Sequence, residues 1–288
     1  MKQDKVISLI LMLVALSAIS ALALITVFIF REGLPIMTRT GLADFIGSSD
    51  WYPTDEKPSF GIYPMIVGSL AVTAGAMLIG VALGLGCAIV LTQFCRPGTV
   101  AVLKPAIELL AGIPSVVYGA IGVVILVPLI REHLGGWGLS MLASSIVLGI
   151  MMLPTVTSIT VDALQAVPRP YRDGSIALGA TQWQTTRMVM LKAAWSGIVA
   201  AVILGMGRAV GETMAVIMVA GNVLDAPHSL LDPVRTLTSN IALEMGYAAG
   251  DHRRALFATG VVLFVIIMVL NVTALTLSRR RVGRVGGR

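Results

Sequence analysis

Long apolar stretches separated by short polar ones set the pattern of this chain. Six runs carry almost no charge: residues 6–30, 64–95, 105–130, 139–161, 193–222 and 255–277. Each exceeds the roughly 20 residues that a membrane-spanning helix needs. None alternates with a period of two, so a barrel is excluded. In lipid only a helix then satisfies the backbone. The pattern predicts an all-α membrane protein of six transmembrane helices in a single domain over 1–288.

Composition agrees. Of 288 residues, 56% are hydrophobic and 12% are charged, against about 25% charged in a soluble domain. The net charge of +6 reads as topology. Lys2, Lys5, Arg96, Lys104, Arg169, Arg172, Arg187, Lys192 and the tail Arg279-Arg280-Arg281 fall on one side. By the positive-inside rule that side is the cytoplasm, with both termini in it. The tail suits anionic lipid headgroups, and nucleic acid is not an expected partner. Met-Lys-Gln-Asp-Lys and Ala21-Leu22-Ala23 imitate a signal peptide. The apolar run continues to Phe30, too long for one, so the first span is expected to be retained. Cys87 and Cys95 suggest neither a disulfide framework nor a metal site. His133, His228 and His252 read as solvated loop residues, and the methionines as packing. The phosphate-binding loop of many ATPases is missing from the sequence.

Four stretches depart from simple spans. The loop from Arg31 to Tyr63 carries Trp51-Tyr52-Pro53 and Phe60-Gly61. These aromatics read as headgroup-belt residues or as a docking surface for an external partner. In the second run, Gly80 and Gly84 have the spacing that lets helix backbones approach closely. The third run opens on Lys104-Pro105, which places Pro105 and Glu108 in a first helical turn, where the dipole favours a carboxylate. Gly112-Ile113-Pro114-Ser115 then interrupts the helix. The proline frees a carbonyl that must find another partner, and such breaks can line a transport path. Glu108 and Ser115 are therefore pathway candidates beside their structural roles.

Residues 162–192 read as a polar, basic elbow. Tyr171 to Leu178 form a short helix with Asp173 in its first turn. Gly179 takes the C′ position, and Thr181-Gln182-Trp183-Gln184 matches a capping box that restarts a helix running into the fifth span. In that span, Gly205 to Thr213 contains Arg208 and Glu212. A central arginine costs about 2.5–3.5 kcal/mol on insertion scales. Four residues apart on one continuous helix, the two charges would share a face and pair, flanked by Gly207 and Gly211 at close-packing spacing. One reading is a structural ion pair. The other is a polarised site on an anion path, since the guanidinium fork matches tetrahedral oxyanions and a nearby carboxylate keeps binding escapable.

The elbow resembles the cytoplasmic coupling loop of type I ABC importer permeases. Its E-A-A positions fall on Asp173-Gly174-Ser175, and Gly179 matches the glycine of the pattern. Val189 and Leu191 follow, and Lys192 stands where proline is usual. Glu108-Leu-Leu-Ala-Gly-Ile-Pro-Ser-Val-Val-Tyr-Gly119, Ala177-Leu-Gly-Ala-Thr-Gln-Trp183 and Gly207-Arg-Ala-Val-Gly-Glu-Thr-Met214 resemble the phosphate-specific importer permeases. Trp51-x-Pro53 with Phe60-Gly61 suggests the PstC-type subunit. The resemblance implies a pathway near Arg208 and Glu212, formed with a PstA-type permease subunit. It implies coupling through Tyr171, Arg172, Asp173, Gly174, Ser175 and Gly179 to two ATP-binding subunits, which would hold the ATP and magnesium. This chain itself would bind no cofactor and catalyse no reaction. An external phosphate-binding protein would deliver the substrate, and the complex would sit in the bacterial plasma membrane. A permease for sulfate or molybdate, and an ATP-independent anion channel or carrier, remain the alternatives.

Overall fold

The computed structural model describes the backbone of residues 2–285 and the side chains of residues 7–276. The basic tail and its expected headgroup contact, like Lys2 and Lys5, lie outside the described side chains. In chain order the elements are α1 (Lys2–Thr40), α2 (Leu42–Gly47), the strands β1 (Trp51–Tyr52) and β2 (Ser59–Phe60), α3 (Tyr63–Ile89), α4 (Pro97–Ala111), α5 (Ser115–Ile121) and α6 (Val127–His133). Then follow α7 (Met141–Gln165), α8 (Arg169–Ala177), α9 (Gln182–Thr185), α10 (Leu191–Ala193), α11 (Trp195–Gly211), α12 (Met214–Val219), α13 (Leu237–Glu244) and α14 (Gly250–Val285). Turns of π type over Val90–Phe94, Gly122–Leu126 and Thr186–Met190 extend α3, join α5 to α6 and join α9 to α10.

Among the described residues, five helical segments are long and apolar enough to cross a membrane: Ile7–Thr40, Tyr63–Phe94, Ser115–His133, Met141–Gln165 and Gly250–Thr276. The bent pair Gln182–Ala193 and Trp195–Gly211, with 72° between its halves, makes a sixth candidate when counted as one broken span. The six-span expectation therefore holds, with three changes of boundary. First, α1 runs past Phe30 to Thr40 with Pro35 inside it. Second, the third apolar run is two helices. Pro105 lies inside α4, which starts at Pro97. Glu108 accordingly sits in the last turn of α4, where the dipole disfavours a carboxylate, and not in a first turn. Third, the fifth run is bent at Ala194 and broken again after Gly211.

The chain divides into two compact units, Met1–Ile62 with Ile241–Phe264, and Tyr63–Asn240 with Val265–Arg288. In the first, α1 and the start of α14 cross closely. A Cβ on Gly33 would come within 2.7 Å of the Ala258 amide nitrogen, so only glycine fits there. Phe28 meets Phe257 edge to face, as does Phe30 with Phe264. β1 and β2 form an antiparallel hairpin with Trp51 opposite Phe60. Trp51 is 2% exposed and Phe60 7%, which overturns the headgroup-belt and docking readings for both. The Trp51 indole donates to Glu244 Oε2 at 2.9 Å, and His252 Nε2 lies 2.8 Å from the same oxygen. His252 is buried, contrary to its reading as a solvated loop residue, because it shares this carboxylate with the indole. His133 and His228 are exposed as expected.

The second unit is organised around α3 and α7. Ser145, Gly149, Met152 and Val156 of α7 press into the sites left by Gly75, Gly80 and Gly84 of α3. The Ser145 hydroxyl reaches the Val72 carbonyl at 3.4 Å, and Thr157 reaches the Gly84 carbonyl at 3.2 Å. The glycine spacing thus works as a packing device, as read from the sequence. Val72, Ala76, Met151, Met152, Val156, Ala209, Val216 and Val219 fill the core.

Candidate functional site

Two regions of the second unit carry the charged and glycine-rich motifs. In the first, α11 ends at Gly211 and Glu212 is extended, with φ −68° and ψ 132°. Because the helix stops there, Arg208 and Glu212 do not share a helical face. Arg208 forms no ion pair among the described residues. The expected Arg208–Glu212 pair is absent, and each charge serves a different half-helix. Arg208 lies in the last turn of α11, where carbonyls gather and a cation is favoured. Glu212 turns the other way: its Oε1 accepts from the Ala215 amide at 3.2 Å, at the start of α12, where exposed amides favour an anion.

The half-buried Arg208 side chain reaches one further helix. Its Nη1 donates to Thr155 Oγ1 of α7 at 3.4 Å. Tyr118 lies on α5. Tyr118 donates to the Leu110 carbonyl at 2.8 Å. Leu110 is four residues before Pro114, so this is the carbonyl that the proline frees. The break between α4 and α5 is thus stitched by a tyrosine. Thr238 Oγ1 donates to the Glu212 carbonyl at 3.0 Å and holds the second break. Gly207 and Gly211 face open space within this chain. They make no close intrachain contact, which corrects the packing expectation; Gly205, against Met152 and Val156, is the glycine that packs. Ser115 is half-buried at the start of α5, and Glu108 is exposed on α4, an element with no buried residue. Thr155 gave no signal in the sequence, because a single hydroxyl in an apolar helix is ordinary, and Tyr118 and Thr238 were not singled out by any spacing.

The second region is the elbow. α8 covers Arg169–Ala177, so it begins two residues before the expected Tyr171. Gly179 has φ +84°. Its amide donates to the Ile176 carbonyl at 2.9 Å, and the Ala180 amide to the Ser175 carbonyl at 3.2 Å. This is a Schellman motif, with glycine at the left-handed position. The Thr181 and Gln184 side chains form the expected reciprocal capping box. The Ser175 and Thr185 hydroxyls lie 3.0 Å apart and fold α8 back on the next helix. Gln182 bonds the Gln93 carbonyl, and Trp183 packs near Phe94, fastening the elbow to the end of α3. The restarted helix does not run straight into the fifth span, because it bends at Ala194. α8 has no buried residue. Tyr171, Arg172, Asp173 and Gly174 are exposed, Ser175 is half-buried, and Leu178 is 90% exposed.

Residues 80–284 match the family model described as binding-protein-dependent transport system inner membrane component. The chain is 44% identical over 272 residues to a probable ABC transporter permease protein, YqgH, of Bacillus subtilis, covering 93% of this chain and 88% of that protein. It is 37% identical to the phosphate transport system permease protein PstC of Mesorhizobium japonicum, covering 84% and 80%. Its fold matches a chain of a bacterial ABC transporter involved in import of the acidic polysaccharide alginate. The TM-score is 0.62 at 14% identity, covering 93% of this chain and 95% of that one. A chain of an inward-facing MetNI methionine ABC transporter matches at a TM-score of 0.60 and 20% identity, covering 76% and 95%.

Proposed function

The chain belongs to the binding-protein-dependent transport system inner membrane component family, the permease subunits of ABC importers, and on that premise we propose that it conducts inorganic phosphate. The pathway forms with a second, PstA-type permease subunit. Two ATP-binding subunits dock on the cytoplasmic side and carry the ATP, the magnesium and the hydrolysis. An external phosphate-binding protein delivers the anion. Both termini lie in the cytoplasm.

The observation that carries the phosphate reading is Arg208, half-buried and bonded to Thr155 of α7, with no carboxylate in ion-pair range among the described residues. Its guanidinium presents several donors in a plane, a geometry suited to tetrahedral oxyanions. The Thr155 hydroxyl adds a neutral partner. A neutral hydroxyl adds less to binding than a second cation would, so the ion can leave as well as enter. Glu212, on the far side of the break, keeps the site from being wholly cationic. Ser115 adds a hydroxyl one turn before Tyr118, and Glu108 stands at the exposed end of α4 as a further pathway candidate. Relatives named as phosphate permeases support the substrate.

The exposed elbow supports the coupling half of the reading. Tyr171, Ile176 and Leu178 are apolar side chains in the open on a helix that buries nothing of its own. They fit a groove on an ATP-binding subunit. Closure of two such subunits on ATP pulls α8, and Gly179 passes that pull to α9. The bent fifth span and its break then shift the pathway between inward- and outward-facing states.

The test is phosphate uptake by the reconstituted complex, with ATP inside the vesicle and competing anions outside. ATP-dependent uptake blocked by excess phosphate but not by sulfate is expected. Block by sulfate alone overturns the substrate. Uptake by the isolated chain, with no ATPase present, overturns the importer mechanism itself.

A further inference from the structure

In the first unit, the apolar run of α1 ends at Phe30 and is followed by Arg31 and Glu32. In α14 the polar stretch Asp251 to Arg254 gives way to an apolar run at Ala255. Both helices therefore pass from hydrocarbon to headgroup at the same level, whichever way the chain is oriented. A cleft of about 330 Å³ opens there, lined by Phe28, Glu32, Gly250, Arg253, Arg254 and Phe257. Its floor is aromatic, with Phe28 and Phe257 edge to face at 5.4 Å between centroids.

The rim carries charges of both signs. Arg254 bonds Asp251 at 3.0 Å, and Arg39 reaches the same carboxylate at 3.7 Å. Arg253 lies over the Phe257 ring, 5.9 Å from its centroid, and has no carboxylate in ion-pair range among the described residues. Glu32 is half-buried and has no hydrogen-bond or ion-pair partner among the described residues. The cleft thus presents an unpaired cation, a second guanidinium with donors to spare, and an unpaired carboxylate, above an apolar floor.

We propose that this cleft binds the headgroup of a phospholipid that carries both a phosphodiester and a primary ammonium, a phosphatidylethanolamine. The phosphodiester accepts from Arg253 and Arg254 in charge-assisted hydrogen bonds. The ammonium donates to Glu32. The first methylenes of the lipid cover Phe28 and Phe257. A purely anionic headgroup leaves the Glu32 carboxylate facing like charge. A choline headgroup has no N–H to give it, and the Phe257 face that would take a quaternary ammonium is already covered by Arg253. The inference goes beyond the transport reading and does not depend on the substrate.

Native mass spectrometry of the full chain, purified with its partner subunits and given equal amounts of phosphatidylethanolamine, phosphatidylcholine and phosphatidylglycerol, tests it. The ethanolamine lipid should be retained about fivefold over the choline lipid, the factor that one exposed charge pair can supply. Glu32→Gln should bring the two to parity, and Arg253→Ala should lower retention of the ethanolamine lipid. Comparison of each variant with the native complex separates this cleft from the surrounding lipid, and an unchanged gel-filtration profile checks the fold. Excess inorganic phosphate should leave the lipid in place. Equal retention of the ethanolamine and choline lipids by the native complex overturns the proposal. So do a preference for phosphatidylglycerol, a preference untouched by Glu32→Gln, and displacement by inorganic phosphate.

Discussion

Around Gly179 the hydrogen bonds that shape the chain join near neighbours: Gly179 to Ile176, Ala180 to Ser175, Thr181 to Gln184, and Ser175 to Thr185 ten residues away. Around Glu212 the bonds reach much farther. Arg208 meets Thr155, 53 residues back, and the Glu212 carbonyl is held by Thr238, 26 residues on. Both regions join two helices across a glycine. The elbow is closed by its own cap chemistry and stands exposed. The break is held open by neighbouring helices and lies half-buried. The elbow leaves α8 uncovered by the rest of the chain, and the break leaves Arg208 without a carboxylate in ion-pair range among the described residues.

The largest expected effect that sharpens this contrast is Arg208→Gln. It should abolish phosphate uptake while the complex still assembles, read by uptake and by co-purification of the subunits; normal uptake would reduce Arg208 to a helix-end cation. Next comes the exchange Arg208→Glu with Glu212→Arg. If the two charges formed a pair, the exchange would restore uptake. Because each serves the dipole of a different half-helix, the doubly exchanged chain should stay as inactive as either single variant. Gly179→Val should follow. A β-branched residue at φ +84° is strained, so ATP hydrolysis should continue while uptake falls about tenfold or more, a loss of at least 1.4 kcal/mol of coupling. Thr181→Ala removes one side of the capping box and should cost about 1 kcal/mol of local stability, seen as faster amide exchange at Gln184. Smallest is Gly174→Ala. Nothing lies within 4 Å of the added Cβ, so α8 should gain just under about 1 kcal/mol and exchange more slowly, with uptake unchanged.

The legible parts of the fold share a physical cause. Six apolar runs, the close approach at Gly80 and Gly84, the left-handed Gly179 and the Thr181–Gln184 box all depend on residues adjacent in sequence or on the preference of a run for lipid. The misread parts share another. Trp51 and His252 are buried because Glu244 lies between them. Pro105 and Glu108 shifted position within their helix because α4 begins at Pro97 instead. The fifth apolar run is unbroken by charge clusters or proline and so reads as one helix, yet the chain leaves the helix after Gly211, where Thr238 takes the Glu212 carbonyl and Ala215 turns its amide to the Glu212 side chain.

Sequence alone determined that this chain lives in a membrane, how many times it crosses, and where its exposed elbow turns, because hydropathy and cap hydrogen bonds act over a few residues. It also carried the motifs by which the family is known. Only the tertiary structure decided that Arg208 and Glu212 stand apart, that Thr155 joins the arginine, that Tyr118 takes the Leu110 carbonyl, and that the tryptophan of the hairpin is buried. Those outcomes rest on which distant groups satisfy a freed carbonyl or an unpaired charge, and that choice is made by packing between helices.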